Sequence, residues 1–291
     1  MSQQIMTKSE PFRYGLNAST LRGHHLPLTE VVAIAAEAGY SGVEPWIDEI
    51  EKHVAGGGSL PELRRQISDS GLTVEGAIGF AEWIVDDPIR RAAGLEQAKR
   101  DMDLVAQIGG TRIAAPPMGL TDAEDRDLLK LAARYRALCE IGEEFGITPL
   151  LEVWGFSKTL KRLGDAAAVA IESGHWNAAI LADSYHLYKG GSPVAGLKIL
   201  RGEILPVFHI NDYPDIAPET VTDADRVYPG DGVAPLSEIF QTLQSIGFAG
   251  TLSLELFNAD YYKQDARTVA QTGLAKMREA VQQARLETEG A

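Results

Sequence analysis

Glu152, Asp183, His209 and Glu255 lie in four short apolar runs, "TPLLEVWG", "AAILADSYH", "LPVFHINDY" and "GTLSLELFN", where a polar side chain alternates with apolar neighbours. A period of two reads as a β-strand, with the polar residue on the opposite face from its neighbours and near the C-terminal end. In "LSLELF", Leu252, Leu254 and Leu256 face one way, and Ser253, Glu255 and Phe257 the other. A carboxylate on the inner face of a buried strand is costly unless it is paired or bound to a metal. Three carboxylates and one imidazole on successive strands therefore predict one shared divalent cation. The oxygen-rich ligand set suits Mn²⁺ first, with Mg²⁺, Co²⁺ or Zn²⁺ as alternatives, and excludes a cysteine-rich structural zinc site.

Elements that could hold these groups alternate along the chain. Strand-like runs fall near 13–19, 42–47, 73–79, 110–115, 148–154, 178–183, 205–211 and 250–257. Helical patterns fill the gaps near 28–38, 60–70, 88–108, 122–145, 159–173, 193–201, 235–246 and 265–285. Thr121 and Glu124 read as a capping box, and Gly39, Gly71, Gly146 and Gly247 stand where helices should stop. Eight β-α units without a linker predict an α/β fold, a single (β/α)8 TIM barrel over 1–291 with 1–11 as a flexible N-terminal segment. Its active-site groups are expected at the C-terminal strand ends. A doubly wound sheet lacks its phosphate fingerprint, since no G-x-G-x-x-G follows the first strand.

Composition narrows the function. A 291-residue chain that is 45% hydrophobic can bury a substantial core. No apolar run is long enough for a membrane span, and "MSQQIMTKSE" lacks a signal-peptide core, so a cytoplasmic protein without a membrane partner is expected. The one cysteine, Cys139, reads as a packing residue in a reducing compartment. A formal charge of −14 disfavours phosphate backbones, so no nucleic-acid partner is expected and neutral substrates are favoured.

The order of Glu at strand five, Asp-x-x-His at strand six ("DSYH"), His at strand seven ("HIND") and Glu at strand eight ("SLELFN") resembles the xylose-isomerase-like TIM-barrel superfamily. Within it, the chain resembles the sugar phosphate isomerase/epimerase group of ketose epimerases, hydroxypyruvate isomerase and inosose-processing enzymes. The resemblance spans almost the whole chain and implies that Glu152 and Glu255 both bind metal and exchange protons with substrate. It further implies that His186 binds a substrate oxygen and that Arg226, in "DADRVYPGDG", neutralises developing charge. Lys158 departs from the pattern, because several ketose epimerases carry an acid there. Relatives that cut nucleic acid use extra histidines, which "AIGFAEW" and "RIAAPPMG" lack.

The expected activity is a metal-dependent isomerisation or epimerisation of a small unphosphorylated sugar or keto-polyol, through an enediolate served by two glutamates. The alternatives are a lyase or dehydratase of a keto-sugar, keto-glycoside or keto-cyclitol, and a non-catalytic metal- or sugar-binding barrel. Glu44 is expected to accept substrate hydroxyls, and Trp46 and Trp154 to wall a carbohydrate or cyclitol. Phe80 and Trp83 follow strand three, His24 and His25 sit in the loop after strand one, and "YKGGSP" reads as a flexible turn. A homo-oligomer would suit the resemblance.

Overall fold

A computed structural model describes residues 10–122 and 127–289. Its eight strands all pair in parallel: β1 (Arg13–Asn17), β2 (Gly42–Glu44), β3 (Thr73–Val74), β4 (Arg112–Ala115), β5 (Thr148–Glu152), β6 (Ala179–Asp183), β7 (Val207–Ile210) and β8 (Thr251–Leu254). Their order is β3-β2-β1-β8-β7-β6-β5-β4. The remaining seam is bridged just past β3. Ala77 N–H donates to the Arg112 carbonyl at 3.1 Å, and Ala114 N–H donates to the Ala77 carbonyl at 2.8 Å. The sheet thus curls into the expected α/β TIM barrel.

Helices α1 (Leu28–Ala38), α2 (Ile47–Ala55), α3 (Leu60–Asp69), α4 (Pro88–Gln107), α5 (Leu128–Phe145), α6 (Leu163–Ser173), α7 (Ser184–Gly190), α8 (Leu236–Ser245) and α9 (Ala266–Glu289) complete the described elements. Two were not legible as helices. In α2, Ile47 and Ile50 are buried one turn apart, and the Glu49 carboxylate accepts the Trp46 N–H at 3.0 Å. Helix α7 starts on the residue after β6 because Asp183 caps it, accepting the His186 N–H at 3.0 Å. The stretch expected as a helix at 193–201 is instead a 3-10 turn, Val194–Ile199, entered from Pro193. The proposed 1–11 segment and Thr121–Glu124 box fall partly outside the described residues; the cap observed for α5 is Asp127, accepting the Lys130 N–H at 3.1 Å. Gly39 and Gly146 end α1 and α5 with φ of 93° and 68°, left-handed values that a side chain would oppose.

Alternation along the strands builds two cores. Leu150, Leu181, Val207, Ile78, Ala114 and Ala179 fill the barrel interior. Leu16, Val43, Leu151, Ile180, Phe208, Leu252 and Leu254 face outward into the larger core beneath the helices. Two residues on from an interior position is again interior. Leu150 therefore stands below Glu152, Leu181 below Asp183, Val207 below His209, and Ser253 below Glu255. β4 and β6 end where the sequence suggested, at 115 and 183, and the other six strands end sooner, their last residues leaving the ladder to shape the mouth.

One buried acid lies outside that pattern. Asp101 on α4 is 2% exposed, one of its carboxylate oxygens has no hydrogen-bond partner, and burial, with repulsion from Glu51 added, pushes its pKa up to about 6. The folded protein holds a proton here that the unfolded chain releases near pH 4. The stabilising contribution is therefore full below pH 4 and lost as pH rises through about 6. Asp101→Asn is expected to be more stable than the wild type at pH 8 by about 1–2 kcal/mol, with the difference disappearing at pH 4. Denaturant unfolding at the two pH values checks this, and equal stability at pH 8 would contradict a charged, unpaired Asp101.

Candidate functional site

The barrel mouth gathers Glu44 from β2, Glu152 from β5, Asp183 from β6, His209 from β7 and Glu255 just past β8, each at most 5% exposed. Asp183, His209 and Glu255 offer ligand atoms that all lie within 4.8 Å of one another. Glu152 stands outside that tight group but lines the same cavity, and one of its oxygens is buried without a hydrogen-bond partner.

His209 shows which of its nitrogens could bind an ion. Nε2 lies 3.0 Å from Glu44 Oε2. Nδ1 faces Glu255 Oε2 at 3.3 Å and Asp183 Oδ2 at 3.9 Å, yet makes no aligned hydrogen bond. A proton on Nε2, held by the Glu44 carboxylate, leaves the Nδ1 lone pair directed at two acids, the arrangement in which histidine serves as a metal ligand. Burial alone would lower the His209 pKa, but Glu255 and Glu44 raise it well above its ordinary value. A proton and a metal ion therefore compete for Nδ1.

The acids differ sharply in environment. Burial, with Glu255 nearby, pushes Glu152 up to about 8. Burial would also raise Glu255, but His209 and Arg226 beside it hold it well below the usual carboxylate range. Arg226 is 1% exposed. Its Nη1 donates to Glu255 Oε2 at 2.7 Å and to Asp183 Oδ2 at 2.9 Å. Its Nη2 donates to Asp223 Oδ1 and approaches His186 Nε2 at 3.3 Å. The guanidinium lies 4.3 Å from the Tyr185 ring centroid and 5.1 Å from that of Phe257. The Gly155 N–H meets His186 Nδ1 at 3.3 Å, so donors approach both ring nitrogens. Burial, the main cause, lowers the His186 pKa to about 4 and keeps the ring neutral.

Two asparagines complete the constellation and were not singled out in the sequence. Asn211 Nδ2 donates to both Asp183 oxygens, at 3.3 and 3.1 Å. Asn17 Nδ2 donates to Glu255 Oε1 at 3.1 Å, while its Oδ1 accepts the Trp46 indole N–H at 3.0 Å. Asn17 was readable, because in "YGLNAS" it shares the inner face with Gly15. Asn211 was readable in the same way, since the run 205–211 puts it on the same face as His209.

The cavity holds about 270 Å³ between this charged floor and a wall of Trp46, Phe80, Trp154, Phe156 and Phe257. Trp46 packs on Phe80 with centroids 5.2 Å apart, and Trp154 on Phe156 at 4.9 Å. Arg226 and His186 also line it. Glu44 does not: its carboxylate is turned to His209 Nε2 instead. Trp83 is turned away, its indole donating to the Pro116 carbonyl at 2.9 Å, and His24 is bonded to the Leu21 and Gln264 carbonyls. Lys158 is not among the lining residues.

A family described as xylose isomerase-like TIM barrel matches residues 32–280. Inosose isomerase of Bacillus subtilis is 33% identical over 46% of this chain, an alignment covering 49% of the relative. The Bacillus velezensis inosose isomerase is 29% identical over 61% of this chain and 65% of its own length. The chain thus spans about half to two thirds of these relatives. A 3-dehydroshikimate dehydratase of Pseudomonas aeruginosa is 25% identical over 86% of this chain, within 39% of a longer protein. Among solved structures, the IOLI protein with a bound zinc atom superposes with a TM-score of 0.86 at 22% identity, covering 94% of this chain and 99% of that one. An L-ribulose 3-epimerase gives 0.77 at 19% identity, covering 96% and 97%.

The His209–Glu44 pair makes a direct prediction for metal affinity. Glu44→Gln keeps shape but removes the charge that holds the Nε2 proton. Calorimetric titration with Zn²⁺ or Mn²⁺ is expected to show binding about 10–100-fold weaker than wild type. Unchanged affinity would mean that Glu44 does not orient His209 for an ion.

Proposed function

The chain belongs to the xylose isomerase-like TIM-barrel family, and from that premise we propose that it is a divalent-metal-dependent isomerase or epimerase of a small unphosphorylated sugar or keto-polyol. The observation that carries the reading is the unpartnered Nδ1 of His209, directed at Asp183 and Glu255 in a pocket where acids outnumber cations. Asp183, His209, Glu255 and Glu152 are the proposed ligands, and the oxygen-rich set suits Mn²⁺ first, with Zn²⁺, Mg²⁺ or Co²⁺ as alternatives. Bound there, such an ion would supply a Lewis acid that acidifies a proton on the carbon beside a carbonyl.

The chain's own groups then divide the work. Glu255 and Glu152 come from β8 and β5, on different sides of one cavity, so one carboxylate can take the carbon-bound proton and the other can return one. Return to the opposite face of the same carbon inverts it; return to the neighbouring carbon moves the carbonyl. Neutral His186 lies beside the substrate oxygens, and the Arg226 charge, held in place by its own carboxylates, offsets negative charge there as it grows. The walls formed by Trp46, Phe80 and Trp154 cover the C–H face of the substrate and exclude water from the proton in transit. Inosose isomerases among the relatives support a cyclic keto-polyol as one substrate class.

A second reading is a lyase that expels a β-hydroxyl after the same proton removal, supported by the likeness to 3-dehydroshikimate dehydratases over 86% and 90% of the chain. Deuterium incorporation from D₂O without loss of water marks the isomerase or epimerase, and loss of water marks the lyase.

Two measurements test the proposal. Elemental analysis after loading with Mn²⁺ or Zn²⁺ and dialysis is expected to find one ion per chain, lost in Asp183→Asn. Glu255→Gln and Glu152→Gln are each expected to keep the wild-type circular dichroism while slowing C–H exchange of a responsive ketose or inosose by about 10²–10⁴-fold. Full exchange by either variant would remove that residue from proton transfer.

A further inference from the structure

Among the described residues lining the cavity, Arg226 is the only lysine or arginine. An anionic substrate would need that guanidinium for its carboxylate or phosphate, and the guanidinium is already engaged. Nη1 is shared between Asp183 and Glu255 in the floor. Nη2 is taken by Asp223 and approached by His186 Nε2, and Nε is buried without a partner. Asp223 lies on the 3-10 turn Asp223–Asp225, and its side chain is 41% exposed. It lines the cavity and meets solvent, and it presents a negative charge to whatever enters.

The turn that carries Asp223 is held by other groups. The Asp225 carboxylate accepts the Thr222 N–H at 2.8 Å and the Thr222 hydroxyl at 2.7 Å, and Asn258 Nδ2 donates to the Arg226 carbonyl at 3.0 Å. The Asp223 side chain is thus not needed to shape the loop. What it supplies is occupation of the one donor face of Arg226 that an anion could reach.

We propose that Asp223 is a specificity-determining residue, an internal carboxylate that caps Arg226 and restricts the cavity to uncharged keto-polyols, excluding keto acids and sugar phosphates. The proposal rests on the reading that substrate occupies this cavity. A carboxylate entering the wild-type site meets Asp223 and the floor acids, with no exposed guanidinium donor in return because the one unpartnered donor, Nε, is buried, whereas a neutral polyol meets hydrogen-bond acceptors suited to its hydroxyls. The residue acts by denying a partner to the wrong ligand.

The test compares two ring ketones of opposite character, a neutral inosose and the anion 3-dehydroshikimate, in wild type, Asp223→Asn and Asp223→Glu. Trp46 and Trp154 line the cavity, so binding is read from tryptophan fluorescence of the metal-free protein, where no metal-dependent turnover competes. Wild type is expected to bind the inosose at least about tenfold more tightly than 3-dehydroshikimate. Asp223→Asn should tighten 3-dehydroshikimate by about tenfold or more while changing the inosose little, and Asp223→Glu should behave as wild type. Wild type that binds both alike, or an Asn variant that gains no affinity for the anion, overturns the proposal. Absence of C–H exchange with every ketone overturns the isomerase reading instead and leaves the binding comparison to stand by itself.

Discussion

A surplus of buried negative charge at the barrel mouth is the constraint on which the rest of the structure depends. Glu44, Glu152, Asp183 and Glu255 are nearly fully buried, and among the described residues Arg226 is the one permanent cation set among them. Even with His209 protonated and Glu152 holding a proton at neutral pH, one carboxylate lacks a counter-charge. Isolated ions in such surroundings cost several kcal/mol each, so the surrounding groups have to answer them. Arg226 is divided among three carboxylates and gripped between Tyr185 and Phe257. Asn17 and Asn211 spend their amide donors on Glu255 and Asp183. These neutral donors soften the repulsion without cancelling it, and a divalent cation is the one addition that would do so without disturbing the packing.

The opposite end of the barrel shows that such a deficit is a property of the site and not of the fold. Glu75, the residue after β3, is also buried, yet it is met by Arg13 and Arg112 from the starts of β1 and β4 and by Thr73. One acid there has two cations. Gly42 leaves room for it, since a side chain at that position would overlap the Glu75 side chain. Charge at the N-terminal face is therefore balanced by the chain itself, as expected of a face concerned with stability, whereas the C-terminal face is left open to complete with a ligand.

How far the sequence could be read follows from the same geometry. The acids were legible because strand alternation is a local pattern, and one parity of each strand is interior all the way up: Leu150 to Glu152, Leu181 to Asp183, Val207 to His209. Glu44 was visible as an inner-face acid, but its partner was not, because its contact with His209 joins residues 165 positions apart. The same applies to Asn211, whose face was readable but whose partner, the Asp183 carboxylate 28 positions away, was not. Helix α2 was missed because its amphipathic signal rests on Ile47 and Ile50 amid a run of charges, right after the strand-ending "GVEPW". The 193–201 segment looked helical through Val194, Leu197 and Ile199, yet Ile199 is 86% exposed and offers a longer helix no packing.

The aromatic half of the cavity completes the logic of the charged half. Phe80 and Phe257 bring no hydrogen-bonding group, the Trp154 indole N–H is directed to Glu152, and the Trp46 indole N–H is already given to Asn17. A ligand can therefore satisfy polar atoms only on the side facing the acids, His186 and Arg226, while its other side meets ring faces. Flat or chair-shaped molecules with oxygens along one edge and C–H bonds on a face meet both demands at once; long flexible chains do not. The link from Trp46 through Asn17 to Glu255 couples the two halves. The ring proposed to meet a substrate's apolar face also fixes the amide that donates to Glu255, one proposed proton-transfer carboxylate. On that reading a shift of the wall would be felt at the reacting carbon, because one hydrogen-bonded chain joins the wall to the acid.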